Sequence, residues 1–156
     1  MLIEEANRAF KTADHLTYTT YPLLKETKIL ILIIEQLYNS LSKGMEAVLE
    51  YDYLYKRIQQ YPNDFQGRLH VFRNYSMNRY NFSRETAALL EEIHEIIIKR
   101  KTAPIEFPRK DKFVIASDTF RLKSISIDKV KQFVTQTKKF IDKLNEVYRA
   151  SDRRFS

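Results

Sequence analysis

Three arrangements in this sequence hold residue types able to do chemistry. The first is Arg8 and His15 in the segment RAFKTADH. Helical residues advance by about 100° each, so positions seven apart nearly eclipse. Arg8, Lys11 and His15 would therefore share one line, nearly opposite the apolar stripe of the same helix. Histidine moves a proton near neutral pH, and arginine stabilises charge developing on phosphate. The pair would suit phosphodiester chemistry. The competing account is a solvated polar helix face.

The second arrangement is residues 65–84, FQGRLHVFRNYSMNRYNFSR. It carries Arg68, Arg73, Arg79 and Arg84 with no acidic residue, and Phe65, Phe72, Tyr75, Tyr80 and Phe82 are interleaved. Arginine pairs with phosphate in a bidentate way, and aromatic faces stack on unpaired bases. Lys99, Arg100 and Lys101 add a second basic cluster, as do Arg109 and Lys110. The expected nucleic-acid interface is thus Arg68, Arg73, Tyr75, Arg79, Tyr80, Arg84, Lys99, Arg100 and Lys101. In the competing account the phenylalanines are core, the arginines pair with Glu91, Glu92 and Glu95, and the lysines complement a helix C-terminus.

The third is Glu91-Glu92-Ile93-His94, a Glu-x-x-His on a helix. Di-iron bundles use two such elements and two further glutamates. No second copy exists, because Thr12 precedes His15 and Gly67 precedes His70. The chain has no cysteine, which removes thiolate ligands and disulfides. Its only glycines, Gly44 and Gly67, cannot build a glycine-rich phosphate loop. No metal and no cofactor is expected.

The elements that must position these residues are long. Two glycines and four prolines in 156 residues encode few turns, which disfavours sandwiches, barrels and doubly wound sheets. Apolar residues at three- and four-residue steps predict a first helix from about Leu2 to Thr20, ended by Pro22. A long second helix starts near Glu26 and extends as far as Gln60, with a possible kink at Gly44. A short third helix carries Phe65, Leu69 and Phe72, and Asn78 to Phe82 is read as irregular. Ser83 caps a fourth helix reaching about Lys101, and Pro104 and Pro108 mark a loop. The alternating runs FVIAS and FRLKSI predict a hairpin over about 112–125, turning at Asp118-Thr119. Ser126 then caps a last helix to about Ala150, and residues 151–156 form a loose tail. The expected fold is all-α: one domain, a four- to five-helix bundle with a small β-hairpin before the last helix.

Charge is uneven along the chain. Residues 1–64 hold seven Lys/Arg and nine Asp/Glu, a balance of −2, and residues 65–156 hold twenty and eleven, a balance of +9. The basic half points to a polyanionic partner. The longest purely apolar run, Ile29 to Ile34, is far short of the roughly 20 residues of a spanning helix, so no membrane is expected. The run covers every helix face, so it must be wrapped by neighbours or buried in a dimer. With no signal peptide visible and no cysteine, the expected location is cytoplasmic.

A helical bundle carrying an Arg-x6-His element, Arg8 to His15, resembles the HEPN superfamily. That resemblance implies dimeric bundles, here through the first two helices. It also implies either an Arg/His ribonuclease or an inactive relative. The residue-based reading favours a non-enzymatic basic module that binds RNA or a ribonucleoprotein. A structural, protein-interaction bundle is the third alternative.

Overall fold

The computed structural model describes residues 1–102, 105–109, 112–116 and 122–155. It is an all-α bundle with a small antiparallel sheet before the last helix, as the sequence predicts. The first rod is α1 (Leu2–His15), a π-helical turn (Leu16–Thr20) and α2 (Tyr21–Leu24). The second is α3 (Lys28–Leu54). The third is α4 (Phe65–Val71), a second π-helical turn (Phe72–Ser76) and α5 (Met77–Tyr80). Then follow α6 (Arg84–Thr102), strands β1 (Ile105–Arg109), β2 (Lys112–Ala116) and β3 (Leu122–Ser126), and α7 (Ile127–Phe155).

Helix α3 is the central rod, packed by α1, α6 and α7. Leu30, Ile33, Ile34, Leu37, Leu41, Met45 and Leu49 on it are essentially without solvent. Small residues let α1 approach closely: Ala6 and Ala13 are fully buried, and Ser40 of α3 donates to the Ala6 carbonyl at 2.8 Å. Gly44 does the same for α7. A Cβ built there would lie 2.6 Å from Phe140 Cε1, so the missing side chain allows contact and α3 continues unbroken through it. The run Ile29–Ile34 is buried within the single chain at every position except Leu32. Its coverage therefore requires no second copy.

The first π turn carries the first helix past the proline expected to end it. The helix passes through Pro22 and ends at Lys25, in a left-handed conformation with φ 52°. In the π turn the Tyr21 amide donates to the Leu16 carbonyl, five residues back. The wider turn accommodates the proline ring, which has no N–H to satisfy. The extra residue also rotates the downstream side chains about the helix axis. Tyr21 is buried, and Tyr18 stays exposed under the Lys131 ammonium. Thr17 is buried and donates back to the Ala13 carbonyl at 2.7 Å, the helix-internal bond that suits a threonine away from water.

Two expected caps are present. The Glu85 amide meets Ser83 Oγ and the Lys129 amide meets Ser126 Oγ, each at 3.3 Å. A third cap is Asp64, which accepts from the Gly67 amide at 2.9 Å. The predicted hairpin is β2 with β3, pairing Phe113 with Ile125, and both side chains are buried against the bundle. The Asp118-Thr119 turn lies outside the described residues. The proline loop contains a strand that was not expected: β1 pairs antiparallel with β2, with Pro108 opposite Phe113. Order β1-β2-β3 puts β1 at an edge, where a strand tolerates a residue without an N–H. Helix α7 continues to Phe155, through the expected loose tail. Among the described residues, no helix is long and apolar enough to cross a membrane.

Candidate anion-binding groove

The decisive departure from the sequence reading is where α3 stops. Tyr55 and Ile58 continue its apolar phase, yet the helix ends at Leu54, six residues before Gln60. Lys56 takes a left-handed conformation with φ 58°. Its amide meets the Tyr53 carbonyl at 3.0 Å, and the Arg57 amide meets the Asp52 carbonyl at 2.8 Å. The chain turns away instead of running on, and residues 53–60 form one wall of a groove of about 960 Å³. The other wall is His70, Val71 and Tyr75 on α4 and the second π turn. Lys56, Arg57 and His70 supply its charge and polarity, and among the described residues no carboxylate lines it. Tyr53 and Tyr75 are half exposed, at 50% and 55%.

Below the groove lies a buried carboxylate. Asp52 is fully buried, in the last turn of α3. It accepts from Ser76 Oγ at 2.6 Å and from the Tyr80 hydroxyl, and Arg79 Nη1 stands 3.4 Å away. Ser76 and Tyr80 are four residues apart and so share one helix face. Arg57 Nη1 donates to the Tyr80 oxygen at 2.7 Å, and its guanidinium lies over the Tyr51 ring at 5.4 Å. Burial, then the bond to Asp52, pushes the Tyr80 phenol up to about 12. Burial opposes the Arg57 charge, but its hydrogen bond to Tyr80, then the charges of Tyr80, Tyr51 and Asp52, outweigh that and raise its pKa. One phenol thus links the buried Asp52 carboxylate to the Arg57 guanidinium at the groove wall.

The residues expected to form the nucleic-acid interface are scattered, and most are already paired. Arg68 donates to the Pro62 carbonyl at 3.0 Å and stands 3.4 Å from Glu46. Arg73 binds Glu91 at 2.7 Å, Lys99 binds Glu95 at 2.7 Å, and Arg100 binds Glu35 at 2.6 Å. Arg79 belongs to the Asp52 cluster. Arg84 and Lys101 are exposed. Of the nine, only Tyr75 lines the large groove, and Tyr80 lies in the cluster beneath it. The side chains of Arg109 and Lys110 lie outside the described residues. Asp52, Lys56 and Arg57 carried no sequence signal, since they sit in what reads as an uninterrupted helix.

His94 stacks on Phe65, with ring centroids 3.9 Å apart and planes at 7°. Glu91 turns instead to Arg73, so Glu-x-x-His is not assembled for a metal. No cluster of three metal-ligating side chains exists among the described residues. Arg8 and His15 are both exposed on α1, seven residues or about 10 Å of rise apart. Against protein-family models, curated proteins and solved structures, the chain finds no match.

Proposed function

We propose that this protein is a non-enzymatic helical-bundle module that binds single-stranded RNA in the groove between residues 53–60 and α4. One observation carries the reading: exposed Tyr53 and Tyr75 line a channel with Lys56, Arg57 and His70 and, among the described residues, no carboxylate. Base stacking on an aromatic ring contributes about 1–3 kcal/mol per base and tolerates any sequence. Phosphate contacts add a salt-dependent term. Elsewhere, Arg68, Arg73 and Arg100 stand 2.6–3.4 Å from carboxylates, whose charge opposes an approaching phosphate. The left-handed turn at Lys56, like that at Lys25, follows a helix end, and here it places a cation at the groove wall.

The test is fluorescence anisotropy with short labelled RNA. With two or three phosphates neutralised, affinity should fall about tenfold between 50 and 200 mM salt. Tyr75→Ala and Lys56→Ala should each weaken binding about fivefold or more, and Arg73→Ala, whose side chain is held by Glu91, should leave it unchanged. Absence of binding, or equal losses in the Arg73 and groove variants, would overturn the assignment. An equally tight DNA strand would remove RNA preference from it, because the ribose hydroxyl is the distinguishing group.

A further inference from the structure

Arg57 also lines a second, smaller cleft of about 170 Å³. Its other walls are Tyr51 of α3, Tyr80 of α5, and Lys143, Glu146 and Val147 of α7. A cavity of roughly 150 Å³ takes a benzene-sized group. This cleft therefore has room for a phosphate but not for a nucleoside. Two cations reach it. Arg57 spends one of its five N–H groups on Tyr80, which fixes the guanidinium and leaves others to donate. Lys143 stands 3.9 Å from Glu146, at the limit of an ion pair, and the Glu146 side chain is 72% exposed. That contact is loose enough for an anion to displace it.

We propose that this cleft seats the phosphate monoester at the end of a nucleic-acid strand. A monoester carries nearly two negative charges at neutral pH, which matches two converging cations; a diester within a strand carries one. Arg57 belongs to both clefts, so a strand lying in the larger groove would bring its terminal group to the smaller one. The strand part rests on the RNA reading above, and the phosphate part stands on the cleft alone.

The experiment compares labelled RNA strands of one sequence with a 5′-phosphate, a 3′-phosphate or hydroxyl ends. One phosphorylated end should bind about tenfold tighter than the hydroxyl strand. Lys143→Ala should erase that preference and leave the hydroxyl strand's affinity unchanged, with circular dichroism confirming the fold and Lys143→Gln replacing it if alanine unfolds the chain. Equal affinity for all three ends overturns the terminal seat and spares the groove. Inorganic phosphate that competes as well as the phosphorylated strand would assign the cleft to the free ion and overturn the strand-end proposal. If no strand binds at all, the groove reading falls. Calorimetric titration of adenosine 5′-monophosphate then decides the cleft: binding lost in Lys143→Ala supports a phosphomonoester seat, and no binding overturns it.

Discussion

Ser76 Oγ donates to Asp52 Oδ2 at 2.6 Å, joining the second π turn to the last turn of α3. Both residues are fully buried. This contact ties α3 to the third rod just where the helix ends at Leu54 and the groove wall begins.

Asp52→Ala should therefore be among the costlier single changes in this protein. It strips the acceptor from buried Ser76 and half-buried Tyr80 and leaves Arg79 without its carboxylate. Orphaned buried donors cost about 1–3 kcal/mol each, so a loss of about 3 kcal/mol is expected. Urea unfolding of the purified variant measures it, and a loss below about 1 kcal/mol would mean that the network contributes little.

Gly44→Ala should destabilise by about 1–3 kcal/mol, although alanine is the better helix former. The added carbon would sit 2.6 Å from Phe140 and 3.1 Å from Leu144. Phe140 cannot swing aside, being buried between Phe72 and Phe82. Propensity favours the substitution by at most about 1 kcal/mol, and overpacking outweighs it. A melting temperature equal to the parent's would show that α7 shifts freely.

His94 should make stability pH-dependent. Burial, and then the Lys101 charge, lower its pKa from the ordinary 6.5, and its Nδ1 is buried without a hydrogen-bond partner. The folded state thus favours the neutral ring, and the unfolded chain binds the proton more readily. The contribution is fully present above about pH 6.5 and is lost as pH falls below it toward the lower folded value. Thermal unfolding from pH 7.5 to 5 should show this decline in the parent and a smaller one in His94→Leu. Parallel curves would assign the decline to other groups.

Much of the helical plan was legible one element at a time. Stripes such as Leu30, Ile33, Leu37, Leu41 and Met45 are local and periodic, and burial of one face follows from them. Ser83 and Ser126 are local too, because a cap needs only its own next few amides. The two π turns were not legible. A shift from four- to five-residue hydrogen bonding leaves composition and spacing unchanged, so the burial of Tyr21 and the passage through Pro22 had no signature.

The basic half of the chain shows the same division. Counting charges showed correctly that Arg68, Arg73 and Arg79 have no acidic neighbour within their own segment. The competing account named Glu91, which does hold Arg73, but nothing local showed that Glu46 and Asp52 reach Arg68 and Arg79 across the bundle, or that Glu35 reaches Arg100. Arg100 and Glu35 are 65 positions apart in the chain and 2.6 Å apart in space.

The sequence by itself determined long amphipathic helices, their caps and a late hairpin, because each depends on side chains within a few residues. Tertiary structure alone decided where α3 ends, which cations are neutralised and where a groove opens. Those outcomes depend on packing between segments far apart in the chain. A buried aspartate is tolerable only after Ser76 and Tyr80 have arrived to bond it.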